Sequence, residues 1–155
     1  MTLRGALLEA GTPLEAQLLG IGHAHMDVAY LWTIVQIRLK NQRIYSNVLR
    51  LMEVDDGFCF SHSKPVLYEM TKQDFPGIYE GIKTRVAEGR WEVMGGMWVE
   101  PDLNIPGPEA LVRQLTLGRA FFREEFGDVE TPILWLPDTF GFPGQIPQLM
   151  KLAGL

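Results

Sequence analysis

Four short apolar runs, each followed by a stretch of helical period, constrain this chain more than any other feature. Leu18 to Ala24, Phe58 to Ser61, Trp91 to Val99 and Pro132 to Leu136 have the length and composition of buried strands. The intervening stretches read as helices. Across Tyr30 to Met52, Ile37, Ile44, Val48 and Leu51 recur at helical spacing, while Arg38, Lys40, Arg43 and Arg50 fall mostly outside that stripe. Pro65 to Gly89 repeats the pattern with Ile78, Ile82 and Val86, is split at Pro76-Gly77, and has Gly89 placed to end it. Glu109 to Phe126 carries Leu111, Leu115 and Phe122 inward and closes at Gly127, and Gln145 to Ala153 begins a further helix. Strands alternating with connections of helical length favour a parallel sheet with right-handed crossovers, so the fold class is α/β.

Length limits how far that repeat extends. At 155 residues the chain is one domain and falls short of a complete eight-unit β/α barrel of roughly 250 residues. Its last residues, Leu152 to Leu155, read as a helix end with another strand about to begin, which predicts a fragment. Hydrophobic residues at 46% and charged residues at 21% allow a real core and a soluble chain. Nucleic acid is excluded as a natural partner, because 14 basic residues face 19 acidic ones and no basic cluster is available to neutralise phosphates. No run approaches the ~18 apolar residues of a membrane span. Residues 1–17 form a lead-in broken by Glu9 and Glu15, without the order of a signal peptide, which leaves the cytoplasm as the expected location. The single Cys59, between Phe58 and Phe60, is expected to be a small buried strand residue.

In parallel α/β proteins ligands gather beyond the carboxyl ends of the strands. The first strand ends in His23-Ala24-His25-Met26-Asp27, the second in Ser61-His62-Ser63, the third in Trp98-Val99-Glu100-Pro101-Asp102 and the fourth in Pro137-Asp138. All three histidines of the chain lie at two of these four places. Residues two apart in an extended segment share a face, so His25 and Asp27 can point at one ion, with imidazole and carboxylate as donors. A hydrogen-bonded pair at a strand end is the simpler alternative for His25 and Asp27. For Asp138 it is an N-cap of the last helix. Trp91, Trp98 and Trp135 read as core residues, and Phe121-Phe122 as a helix packing face.

Three longer motifs narrow these alternatives. Gly22 to Trp32, with His25-Met26-Asp27 at its centre, Glu88 to Asn104, with Gly95-Gly96-Met97-Trp98-Val99-Glu100-Pro101-Asp102, and Trp135-Leu136-Pro137-Asp138-Thr139-Phe140-Gly141 resemble, in order and spacing, the N-terminal catalytic region of the glycoside hydrolase family 38 α-mannosidases. The resemblance runs from about Leu18 to Leu155 and implies a partial catalytic domain over 18–155 within an irregular seven-stranded β/α barrel. It implies a zinc-dependent retaining hydrolase of terminal α-linked mannose, with an α-mannoside glycan as its partner. His25, Asp27 and Asp138 become metal ligands for zinc, or for cobalt or another divalent metal. Asp138 is also the implied catalytic nucleophile, with Tyr30 and Phe140 lining the sugar subsite.

Tyr30 stands where the family usually has Trp, which is expected to alter substrate preference while keeping an aromatic face. Gly107-Pro108-Glu109 replaces a common Ser-Gly-Glu, which is expected to remodel the entry to the third helix. The family's fourth ligand, a histidine, and its acid/base carboxylate come from later segments. Two other readings remain at this level. One is an amidohydrolase-type metal hydrolase in which His23 and His25 both bind the metal. The other is a non-catalytic fragment that binds sugar or a partner and tends to associate through its exposed sheet edge.

Overall fold

The computed structural model describes residues 17–129 and 131–155. All but the last residue of the 1–17 lead-in therefore falls outside the described residues. Two strands, β1 (Phe60–His62) and β2 (Trp91–Val93), pair in parallel with Phe60 opposite Trp91 and His62 opposite Val93. Among the described residues five helices accompany them, in chain order α1 (Ile34–Val54), α2 (Pro65–Asp74), α3 (Pro76–Ala87), α4 (Pro108–Phe126) and α5 (Ile146–Leu152). The α/β class and the parallel sense are as expected, but the described sheet has two strands.

The first and fourth expected strands are not formed. Leu18 to Ala24 contributes one parallel bridge, Gly22 to Phe60, in which the Gly22 amide donates to Cys59 O (2.9 Å) and the Ser61 amide to Gly22 O (2.8 Å). A Cβ at Gly22 would sit 2.8 Å from the Phe58 ring, so glycine is what lets the two backbones approach there. Pro132 to Leu136 runs without ladder bonds. An isolated apolar run carries its strand propensity, but a strand forms only where a continuous ladder to a neighbour is made; Leu18 to Ala24 makes a single bridge and Pro132 to Leu136 makes none. The third run stops at Val93, because Gly95 at φ +78° turns the chain out of the extended region.

Helix boundaries follow local chemistry. The first helix starts at Ile34 rather than Tyr30 because Thr33 forms a capping box: its hydroxyl accepts from the Gln36 amide (3.2 Å), while Gln36 Oε1 accepts from the Thr33 amide (2.9 Å). At the other end the Arg90 guanidinium donates to Met52 O, Asp55 O and Phe58 O, satisfying carbonyls that the helix and the turn after it leave open. Pro65, Pro76 and Pro108 each occupy the first position of their helix, where a missing N–H is harmless.

The main core lies between the sheet and α1 to α4 and is strongly aromatic, with Tyr45, Tyr68, Trp91, Phe60 and Phe122 in edge-to-face contact. Its polar tips are paired: Trp91 Nε1 donates to Tyr68 Oη (2.9 Å), which donates to His62 O (3.0 Å). The inward stripe of α1 is Ile37, Asn41, Tyr45, Val48 and Met52. The expected member Leu51 is exposed instead, since Met52 occupies that turn of the buried face. Cys59 is exposed too, because it precedes β1 at a position the helices do not cover. A second cluster of Met97, Leu103, Leu111, Leu115 and Ile146 packs α4 and α5 under the long loops after β2. No helix among the described residues is long and apolar enough to cross a membrane.

Candidate metal centre

The loop after Gly22 alternates like a strand without being one. Ala24, Met26 and Val28 pack on the main core, and Met26 is buried, so His25 and Asp27 are turned to the opposite face. Two side chains fix this loop through its carbonyls: His62 Nε2–H donates to Ala24 O (2.9 Å), and the Lys64 ammonium donates to Met26 O (2.7 Å). His62 is a core histidine. Its Nδ1 accepts from Tyr45 Oη (2.9 Å), and burial, reinforced by the neighbouring His23, Lys64 and His25, pushes its pKa down to about 3 despite the opposing bond to Ala24 O.

Asp138 reaches the same place from the other end of the chain. It sits in a turn seven residues before the N-cap of α5 and caps nothing, which removes the N-cap reading. His25 Nε2 lies 3.1 Å from Asp27 Oδ1 and 3.5 Å from Asp138 Oδ2, and one donor atom from each residue fits within a span of 4.8 Å. The histidine and Asp27 are about one-third exposed and Asp138 is 58% exposed, so the group faces an open cleft. That cleft, about 260 Å³, is lined by Asp27, Tyr30, Lys64, Glu100, Asp138 and Phe140 among others. Tyr30 and Phe140 stand edge to face across it, with ring centroids 6.2 Å apart. Gly141 follows at φ +148°, a backbone conformation that residues with a Cβ rarely adopt, which favours glycine in the turn after Phe140.

The other predicted histidine goes elsewhere. His23 donates from Nδ1 to Ser61 O (2.8 Å) and packs edge-on against Trp135, with centroids 5.2 Å apart. It is not in the metal-capable group, so the His23-x-His25 arrangement of the amidohydrolase-type reading does not form. Two cleft residues had no role at the level of sequence, Lys64 and Glu100. Both are buried, and Glu100 Oε1 accepts from the Asp138 amide (2.6 Å). The available signal was a lysine directly before a helix-starting proline, at the end of an otherwise uncharged strand.

The sequence matches the family model "Glycosyl hydrolases family 38 N-terminal domain" over residues 15–155. The chain belongs to glycoside hydrolase family 38. Among its relatives in this family, "Alpha-mannosidase 2C1" of Homo sapiens is 40% identical over 134 residues, covering 86% of this chain and 13% of the relative. "Alpha-mannosidase G" of Dictyostelium discoideum is 36% identical over 141 residues, covering 91% and 13%. The crystal structure of an alpha-mannosidase from Enterococcus faecalis V583 superimposes with a TM-score of 0.78 at 26% identity, over 87% of this chain and 15% of that one. The chain thus spans 13% of the length of these curated relatives. The matched residues include both the loop after Gly22 and the Asp138 turn.

Proposed function

We propose that this chain carries the metal-binding and nucleophile half of a zinc-dependent, retaining α-mannosidase, as part of a larger β/α barrel with seven strands. The observation that supports this most directly is the convergence of His25, Asp27 and Asp138 from segments more than a hundred residues apart. The meeting puts one imidazole and two carboxylates, all open to solvent, within reach of a single cation.

The donor set fits the group. Imidazole nitrogen with carboxylate oxygens suits zinc, and donors ~2.0–2.2 Å from a shared ion lie 3 to 4 Å from one another, close to the His25–Asp27 and His25–Asp138 separations here. The same donors accept cobalt or manganese. When bound, such a cation supplies Lewis acidity and a template for sugar hydroxyls. His25, Asp27 and Asp138 would hold it, and the remaining chemistry belongs to the side chains.

Tyr30 and Phe140 present apolar ring faces beside the carboxylates, the arrangement that seats the flat face of a hexose while its hydroxyls reach charged groups. Asp138 attacks the anomeric carbon of an α-mannoside, forming an ester bond as the bond to the aglycone oxygen breaks. A carboxyl group from outside these residues protonates that oxygen and later deprotonates the water that releases mannose. The Asp138 backbone is held by Glu100 during both steps, so its carboxylate keeps one approach to the sugar.

The test is covalent trapping in an enzyme that carries this domain with its complete machinery. A fluorinated mannosyl fluoride is expected to add one sugar mass to the peptide containing Asp138, and Asp138→Asn is expected to abolish both labelling and turnover of an aryl α-mannoside. A label on any other carboxylate sinks the nucleophile assignment.

A further inference from the structure

Lys64 and Glu100 form a buried ion pair directly behind the metal-capable group, with Nζ to Oε2 at 3.2 Å and side chains only 5% and 7% exposed. A buried charge pair is weak evidence for stability, because desolvation offsets its attraction, so its placement calls for another explanation. Each member touches a different half of the site. The aligned hydrogen bond of Lys64 goes to Met26 O, the carbonyl between the two ligands His25 and Asp27. Glu100 Oε1 takes the amide of Asp138. Glu100 Oε2 accepts no aligned hydrogen bond, although it is buried, and it faces His25 Nδ1 at 3.8 Å. Lys64 also adopts a left-handed backbone at φ +67°, uncommon for a residue with a Cβ and of the kind that surrounding structure must impose.

We propose that Lys64 and Glu100 are a positioning pair that locks the two halves of the metal site together: the ammonium fixes the His25–Asp27 loop, and the carboxylate fixes the Asp138 turn and offers His25 Nδ1–H its acceptor. This rests on the metal reading given above. When His25 binds a cation through Nε2, its proton is left on Nδ1, and a carboxylate there orients the ring and raises its basicity. Glu100 is the carboxylate in position, and it needs only a small approach to close 3.8 Å to a hydrogen bond. Lys64 is what prevents that carboxylate from turning into the cleft as a further ligand.

A simple counter-charge makes the opposite prediction. If Lys64 only adds positive charge beside the site, removing it tightens cation binding; if it positions, removing it weakens binding. The experiment uses the full chain as Lys64→Met, Glu100→Gln and wild type, with circular dichroism to verify folding. Cobalt(II) titration is expected to give about tenfold weaker binding in both variants, with an altered visible absorption band. In the metal-free chain, the Asp138 amide proton is expected to shift upfield and exchange about tenfold faster in both, because a charge-assisted bond is lost or made neutral. Unchanged or tighter cobalt binding in Lys64→Met, or an unmoved Asp138 amide, overturns the pair. Should Lys64→Met fail to fold, Glu100→Gln decides alone. Absence of cobalt binding by the wild type overturns the metal reading, and the Asp138 amide then decides the positioning role on its own.

Discussion

Acidification should destabilise this fold through one residue, His62. Its ring is fully buried, donating to Ala24 O and accepting from Tyr45 Oη, and an imidazolium could not accept that second bond. Its folded pKa lies near 3 against an ordinary value of 6.5. Because the folded value is the lower one, the unfolded chain binds the extra proton between those limits. Stability is then complete above about pH 6.5 and falls as pH drops toward 3. The slope is about 1.4 kcal/mol per pH unit once below 6.5, so moving from pH 7 to pH 5 removes roughly 2 kcal/mol. For a chain of this length that corresponds to a melting temperature lower by about 4 to 8 °C. The control is His62→Gln, which loses the imidazole acceptor for Tyr45 and starts less stable by about 2 kcal/mol. The readout is the difference between pH 7 and pH 5, measured by urea and thermal denaturation of both proteins. Titration of groups far from His62 is common to both proteins and cancels in the comparison. The wild type should lose about 2 kcal/mol more than the variant. Equal losses would refute the assignment and place the pH dependence on other groups.

Two glycines in helices should respond with opposite signs. A Cβ at Gly118 in α4 would press into Gly96 O and lie 2.9 Å from both Met97 C and Trp98 N, whereas a Cβ at Gly77 in α3 meets nothing within 4 Å. Gly118→Ala is expected to destabilise by about 2 kcal/mol despite its better helix propensity, and Gly77→Ala to stabilise by about 0.5 kcal/mol, both read from urea midpoints. Removing the capping box with Thr33→Ala should cost about 1 kcal/mol, without altering cobalt binding, since both of its hydrogen bonds serve the start of α1.

The helices were largely legible in the sequence, because their signals are local. Proline at the first helical position, glycine after the last and apolar residues four apart act within one or two turns of chain. Phe121-Phe122 and the Leu111–Leu115 stripe of α4 are buried as their spacing implies. The same rule erred by one residue at Leu51, where the neighbouring Met52 fits the core and periodicity alone could not choose between them. Strands were less legible. Leu18 to Ala24 and Pro132 to Leu136 have the composition of strands, but a strand exists only through ladder bonds to a partner distant in sequence.

The sequence by itself determined the chemistry available: His25-x-Asp27 with its two-residue spacing, Asp138 in its turn, and the three motifs whose order places the chain in family 38. Alternation with a period of two is enough to put His25 and Asp27 on one face, because neighbours on a strand-like segment must point apart. Tertiary structure alone decided which residues meet. It sent His23 to Ser61 O and away from the metal group, exposed Cys59, and placed Lys64 and Glu100 behind His25, where sequence separations of 36 and 38 residues hide any pattern. The physical reason is that a buried charge is tolerable only beside its partner, and where that partner lies is set by how the loops after each strand pack together.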